Sequence, residues 1–319
     1  MKKITVCMSR LRDEHRAKIT SEAEAAGYSV AFFDQASLAG ASAAESEIIL
    51  ADGDALLAKA EQLKWFCASF AGVDHLLRSP YLKDEVLLSN SSGAYGVTIA
   101  EQIIMVTLML LRRQMEYTEI VRGHRWDRNL PVRSIRGSRV LIIGTGDIGH
   151  ETALRLRAFG PACIEGINRS GKGNDDAFDS IQSVENLEAA LPEADIVILC
   201  IPGTKETRHL LNAERLAMLP AHAMIINVGR GQAIDQKALV GMLTEHRLGG
   251  AALDVFEQEP VPPEDPVWTC PGLLVTPHCS GNTSLGYTVN RIVDLFCEDF
   301  RRYVQGLPLL RTVNRTLGY

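Results

Sequence analysis

Nothing in these 319 residues is long and apolar enough to span a bilayer. The longest apolar run, Ile103–Leu111, is under half the roughly 20 residues a spanning helix needs. The start, Met1-Lys2-Lys3, turns polar again by Ser9-Arg10, which leaves too short an apolar core for a signal peptide. The seven cysteines form no C-x-x-C pair and their number is odd. A disulfide framework is therefore not expected, and a reducing compartment is. Most sit in apolar runs, where a free thiol behaves as a small hydrophobe. Excess positive charge is also missing. The net charge of −6 offers no electrostatic footprint for nucleic acid, and Arg112-Arg113 and Arg301-Arg302 read as solvated helix faces. There is no internal repeat, low-complexity tract or long single-sign tail. These absences describe a cytoplasmic protein with no membrane or nucleic-acid partner, and no metal is expected.

What is present fits a soluble globular chain: 46% hydrophobic and 23% charged residues. The length favours two domains. Short apolar runs alternate with helix-like segments from the start. Ile4–Met8, Ser29–Phe33, Glu47–Ala51, Trp65–Phe70 and Val86–Ser89 read as strands, with helices at Asp13–Ala26 and Asp54–Gln62. That alternation predicts a parallel sheet. Thr98–Arg113 reads as a long apolar helix, buried between domains or at a subunit interface. Gln114–Arg136, which contains Trp126, reads as a polar surface connection or as an arm embracing a second subunit.

The chain is organised around Arg139–Gly149. An apolar run enters Gly144-Thr145-Gly146-Asp147-Ile148-Gly149, a G-x-G-x-x-G pattern, followed by a helix-like segment at His150–Phe159 and a second apolar run at Cys163–Ile167. Strand, glycine turn, helix and strand in that order make a dinucleotide-binding unit. Gly144 is assigned the tight turn, Gly146 the close approach of a pyrophosphate, and Gly149 the packing of helix on sheet. Further strands at Ile196–Cys200, Met224–Val228, Ala251–Val255 and Leu273–Thr276 bring the total to about six, a complete Rossmann sheet. Leu285–Tyr303 reads as a closing amphipathic helix.

Three strand ends carry candidate chemistry. Asn227-Val228-Gly229-Arg230-Gly231 offers a guanidinium between glycines, suited to gripping a carboxylate with paired hydrogen bonds. Leu253-Asp254-Val255-Phe256-Glu257-Gln258-Glu259-Pro260 ends in carboxylates, and Thr276-Pro277-His278-Cys279-Ser280-Gly281 ends at a histidine. A histidine transfers protons near neutral pH, and a carboxylate beside it favours its charged form. The cofactor type turns on Asn168, which stands where an NAD enzyme usually has Asp or Glu for the ribose 2′-hydroxyl. Arg169, Ser170 and Lys172 follow it, which suits a 2′-phosphate. NADP(H) is therefore the expected cofactor, with NAD(H) possible through dual specificity.

The order and spacing of Ser69–Asp74, Ala100-Glu101, Gly144–Gly149, Asn227–Gly231, Leu253–Pro260 and Thr276–His278 resemble the D-isomer-specific 2-hydroxyacid dehydrogenases, and among them the NADPH-type glyoxylate/hydroxypyruvate reductases. The resemblance implies an α/β fold in which a Rossmann domain, residues 98–283, is inserted into a smaller flavodoxin-like substrate-binding domain of residues 1–97 and 284–319, with the active cleft at their junction. It implies that Arg230 binds the substrate carboxylate and polarises the carbonyl. His278 gives and takes the proton, and Glu259 pairs with His278. Backbone N–H groups around Ala71, Gly72 and Val73 hold the other end of the carboxylate. Asp254 holds the nicotinamide carboxamide, and Cys200, Pro202 and Val228 join the cofactor site. Phe70 and Tyr95 are expected to line the side-chain pocket. A homodimer formed through the region 98–136 is expected.

The reaction implied is hydride transfer between NAD(P)H and a small 2-oxoacid, giving a D-2-hydroxyacid. Three rivals remain. Formate dehydrogenase would pair its histidine with Gln, against Glu259. Phosphoglycerate dehydrogenase would want cations in the loop Phe70–Asp74, which shows none. A cofactor-sensing corepressor on the same fold would need a groove for a partner peptide.

Overall fold

A computed structural model describes residues 1–173 and 175–319. In chain order the elements are β1 (Lys2–Cys7), α1 (Asp13–Ala25), β2 (Tyr28–Phe33), α2 (Ala36–Ala44), β3 (Ile48–Ala51), β4 (Trp65–Ala68), β5 (Leu87–Ser89), α3 (Gly96–Leu111), α4 (Gln114–Arg122), β6 (Arg139–Ile143), α5 (Asp147–Arg157), β7 (Cys163–Asn168), β8 (Ser180–Ser183), α6 (Leu187–Ala190), β9 (Ile196–Leu199), α7 (Ala213–Ala217), β10 (Met224–Asn227), α8 (Gln236–Thr244), β11 (Gly250–Leu253), β12 (Leu273–Val275) and α9 (Gly286–Val304). They form two compact units, one of Met1–Tyr95 with Asn282–Tyr319, the other of Gly96–Gly281. No helix among the described residues is long and apolar enough to cross a membrane.

The first unit carries a five-stranded sheet in the order β2-β1-β3-β4-β5, every pair parallel. This is the flavodoxin-like winding. Its strands β3 and β4 are buried along their whole length, so they read as unbroken apolar runs rather than alternating ones. Returning from the far end of the chain, α9 lays Phe296 on Trp65 with ring centroids 5.4 Å apart, and Tyr303 stacks on the same indole at 5.3 Å. At the foot of the sheet the carboxylate of Glu47 accepts hydrogen bonds from Tyr28 Oη at 2.7 Å, Tyr303 Oη at 3.1 Å and Lys2 Nζ at 3.2 Å. Burial opposes its charge, but these donors prevail and hold Glu47 below the usual carboxylate range. A depressed carboxylate contributes stability that is present above its unfolded pKa and disappears as pH falls through the folded one. Glu47→Gln, which turns an NH2 toward these donors, is expected to cost about 1–3 kcal/mol at neutral pH. Urea melts of both proteins should show that difference shrinking below about pH 4; a pH-independent gap would sink the assignment.

The second unit carries a seven-stranded sheet in the order β12-β11-β10-β9-β6-β7-β8, again parallel throughout. Counted from β6, this is the Rossmann order with β12 added beyond the sixth strand. Seven strands exceed the expected six because β8, Ser-Ile-Gln-Ser, is polar and carries no apolar run. It is an edge strand, paired only to β7 and nowhere fully buried.

Other departures also have local causes. The helix expected at Asp54–Gln62 reduces to one 3-10 turn, Leu57–Lys59, after which Ala60 leaves helical geometry at ψ 87°. A helix not expected, α2, hides in the low-contrast run ASLAGASAA. Its small residues let it lie close to the sheet, and Ser42 Oγ meets Thr5 Oγ1 at 2.6 Å. The connection after α3 begins as a helix, α4, set off by Arg113 in the left-handed region (φ 57°) and braced by Arg113–Glu116 and Arg122–Glu119 ion pairs. Helix α3 is buried on one face only, against α5, β10 and β11, and Met105 on it is 45% exposed.

Candidate active site

Because every strand of the second sheet runs the same way, the carboxyl ends of β6, β7, β9, β10, β11 and β12 share one edge, where open α/β sheets bind ligands. Gly144–Gly149, Asn168–Ser170, Cys200 with Pro202, Val228 with Arg230, Asp254 with Glu259, and His278 each follow one of these ends. Ala71, Gly72 and Val73 follow β4 in the first unit.

The glycine turn has the shape its motif requires. Gly144 has φ +106°, and a Cβ there would lie 2.6 Å from the Cys200 carbonyl oxygen. A Cβ on Gly149 would lie 2.0 Å from the Gly144 carbonyl oxygen, so α5 can start only if that position is bare. A Cβ on Gly146 would meet nothing within 4 Å, leaving the space a pyrophosphate would take. The N–H groups of Ile148 and Gly149, at the start of α5, donate to no described residue. These are the fittings of a dinucleotide phosphate site.

At the end of β7 the amide of Asn168 is fully engaged. Its Oδ1 accepts from the N–H groups of Ser170 (3.0 Å) and Gly171 (2.7 Å), and its Nδ2 donates to Thr145 Oγ1 (3.0 Å) and the Lys172 carbonyl (2.9 Å). Asn168 thus folds the loop and ties it to the glycine turn. The exposed side chains it sets out are Arg169, Ser170 and Lys172.

Beyond β9, the Pro202 carbonyl accepts from Thr207 Oγ1 at 2.8 Å, which curls the loop, and Val228 N donates to the Leu199 carbonyl at 3.2 Å. Arg230 stands between two glycines, as read from the sequence. A Cβ on Gly229 would lie 2.6 Å from the Ile201 carbonyl oxygen, and one on Gly231 would lie 1.9 Å from the Phe256 carbonyl carbon. The glycines admit neighbouring backbone on either side of Arg230, rather than a ligand.

Glu259 and His278 meet. Glu259 Oε2 lies 2.7 Å from His278 Nδ1, and Oε1 accepts from Phe256 N at 2.8 Å. His278 Nε2 has no partner among the described residues. The hydrogen bond to Glu259 lifts the imidazolium pKa above its ordinary value, against burial and the charge of Arg230. Burial opposes the charge on Glu259, but His278, the Phe256 N–H and Arg230 hold it below the usual range. His278 itself is left-handed, at φ +50°.

Asp254 lies at the end of β11. It is 4% exposed, and its Oδ1 accepts from Thr276 Oγ1 and Cys279 N, its Oδ2 from Ser280 N and Ser280 Oγ. Thr276 and Ser280 escaped attention in the sequence, although both lie two residues from His278. In the first unit, the N–H groups of Ala71, Gly72 and Val73 donate to no described residue. The Ala71 carbonyl is fixed by Asn90 Nδ2 at 2.7 Å. Tyr95, expected in the side-chain pocket, is buried and donates its hydroxyl to the Ser69 carbonyl at 2.7 Å. It props the loop from behind.

Residues 104–280 match the family model for the NAD-binding domain of D-isomer specific 2-hydroxyacid dehydrogenases. A glyoxylate reductase of Thermofilum pendens is 34% identical over 232 residues, 70% of this chain and 67% of that one. A solved D-isomer specific 2-hydroxyacid dehydrogenase family protein from Aeromonas salmonicida is 31% identical, with a TM-score of 0.85 over 98% of this chain and 99% of its own. An NADPH-dependent glyoxylate/hydroxypyruvate reductase of Sinorhizobium meliloti, solved with NADP and sulfate, is 27% identical with a TM-score of 0.81 over the whole of both chains.

Proposed function

The chain belongs to the D-isomer specific 2-hydroxyacid dehydrogenase family, and from that premise we propose that it reduces a small 2-oxoacid, of the glyoxylate or hydroxypyruvate kind, to the D-2-hydroxyacid with NADPH. The observation that carries the reading is the His278–Glu259 pair. With Nδ1 turned to Glu259, Nε2 is left to deliver a proton to the carbonyl oxygen as it gains charge. Arg230 supplies the guanidinium that grips the substrate carboxylate and polarises the carbonyl. The nicotinamide supplies the hydride when bound. The glycine turn takes its pyrophosphate. The Asn168 loop, with Arg169, Ser170 and Lys172, takes the 2′-phosphate, and NAD(H) remains a weaker substitute. The comparison with a reductase solved with NADP supports that preference. The test follows absorbance of the reduced nicotinamide with a panel of 2-oxoacids, once with NADPH and once with NADH. Turnover faster with NADPH is expected; tight cofactor binding with no turnover on any oxoacid would move the protein to the cofactor-sensing reading.

The free state of all seven cysteines supports a reducing, cytoplasmic setting. We further assign a homodimer to the segment 98–136, in which Met105, Val121, Trp126 and Val132 are respectively 45%, 68%, 95% and 43% exposed. Large apolar side chains exposed to this degree suit an association surface. Trp126→Asp is expected to convert a dimer to a monomer in light scattering, and an unchanged mass would remove this segment from the interface.

A further inference from the structure

The sheet of the first unit has a point where its winding reverses. The chain leaves β1 for β2 on one side and crosses back to β3 on the other, so the order turns between β1 and β3. Open α/β sheets bind ligands outside the carboxyl ends of the strands at such a point. A crevice of about 220 Å³ lies there, lined by Cys7 at the end of β1, Asp34 just past β2, and Ala51, Asp52, Gly53 and Leu56 at and beyond the end of β3. A void of roughly 150 Å³ already takes benzene, so a short alkyl chain with a polar head fits.

Its charged groups are of one sign and held in place. Asp52 Oδ2 accepts from Ser9 N at 2.8 Å and Ser9 Oγ at 3.0 Å, and Oδ1 accepts from Ser69 Oγ at 2.5 Å. Of about four acceptor positions on this carboxylate, one is left. Asp34 Oδ1 pairs with Arg16 at 2.9 Å, and Oδ2 has no partner among the described residues. Cys7 is 7% exposed, and its thiol has no partner there either. Burial, then the charges of Asp52 and Asp34, raise its pKa, so the thiol stays neutral and its sulfur is a weak acceptor. The other lining residues carry no charge. Two carboxylates against the one guanidinium of Arg16 leave a single negative charge, with open acceptor positions and no donor to meet them.

We propose that this crevice binds a small organic monocation, an alkylammonium, with its head at Asp34 and Asp52 and its stem on Ala51 and Leu56. A metal ion does not fit, since no group of three ligating side chains converges among the described residues. The assignment does not depend on the reaction proposed above.

The probe is n-butylammonium, titrated into isotope-labelled protein and followed by NMR at the Gly53 amide. Saturation with a Kd of about 1 mM or below is expected. The uncharged n-butanol, of the same size, should bind about tenfold more weakly or worse, because it forfeits the charge-assisted contacts. Two variants check the place. Asp34→Asn, at an exposed position, removes one charge and should weaken n-butylammonium about tenfold. Gly53→Leu leaves every charge in place. A Cβ there would meet nothing within 4 Å, so the new side chain has room to fill the crevice and should abolish binding. D-2-hydroxy-6-aminohexanoate, added with NADP, separates two sources of the ammonium. A gain of about tenfold over n-butylammonium makes it the far end of a substrate, and equal affinity makes it a separate amine; the crevice is its site in both cases. Absence of saturation, equal binding of n-butanol and n-butylammonium, or a Kd unmoved by both variants would overturn the proposal.

Discussion

Glu259→Gln is expected to lower kcat/KM for oxoacid reduction by about 100- to 1,000-fold at pH 8, within the range that general acid catalysis supplies. The hydrogen bond from His278 Nδ1 to Glu259 is the largest cause of the raised histidine pKa, with the Coulombic attraction of the same carboxylate adding to it and burial and Arg230 opposing. Reduction uses the imidazolium, so activity is present below the His278 pKa and lost as pH rises through it. Removing the carboxylate removes both raising causes that come from Glu259 and leaves only the smaller Coulombic attraction of Asp254 against burial and Arg230. The alkaline limb must therefore move to lower pH, and oxidation of the hydroxyacid, which uses neutral imidazole, must gain at the same pH. A glutamine's single oxygen can keep the Phe256 N–H, but its NH2 then turns to Nδ1, which accepts only as the neutral ring, so the imidazolium loses its partner along with the charge. Profiles of kcat/KM from pH 5 to 10 in both directions check it. A uniform loss with both limbs in place would mean that Glu259 holds the loop and does not tune the proton.

The parts of this pair were legible in the sequence because each follows an apolar strand, and parallel strands bring their carboxyl ends to one edge. Arg230, Glu259 and His278 could be named from their chemistry and the family pattern without coordinates. The hydrogen bonds around Asp254 could not. Thr276 and Ser280 are small hydroxyl residues with no periodic signature, and their partner Asp254 is 22 to 26 residues away in sequence. Only the adjacency of β11 and β12 brings them together. The same limit applies to Gly229 and Gly231. The sequence shows two bare positions around an arginine, and a ligand is the natural guess. The chains that need the room are the backbones of Ile201 and Phe256, one on each side.

Misread elements share a related cause. Periodicity reports the contrast between a buried and an exposed face, and α2 has almost none, since Ala, Ser and Gly occupy both faces. Strand β8 has little for the opposite reason: at the edge of a sheet it needs no apolar run. In both cases neighbours decide the structure, Thr5 and the sheet beneath α2, and Glu165–Asn168 of β7 beside β8. The central strands β9 and β10, buried throughout, were located to within a residue, because burial on both faces leaves a continuous apolar run.

Asn168→Asp is expected to lower the preference for NADPH over NADH by about 100-fold, more than removal of one loop cation would, because it acts on charge and on loop shape together. The carboxylate keeps the contacts to the N–H groups of Ser170 and Gly171, since an acceptor remains. It loses both donations from Nδ2, so the Lys172 carbonyl and Thr145 Oγ1 now face a carboxylate oxygen. The carbonyl is an acceptor only and is repelled, which loosens the turn that sets out Arg169, Ser170 and Lys172. Thr145 can rotate its hydroxyl to donate, which preserves the tie to the glycine turn. A charge-assisted contact is worth about 1.5–3 kcal/mol, so a displaced loop cation with a new negative charge beside the 2′-phosphate accounts for a ratio of this size. With NADH the same carboxylate can accept from the ribose 2′-hydroxyl, and kcat/KM should hold or rise. The ratio of kcat/KM for the two cofactors, measured at one ionic strength, is the check. An equal loss with both would assign Asn168 to the stability of the glycine turn and leave the 2′-phosphate to the exposed side chains alone.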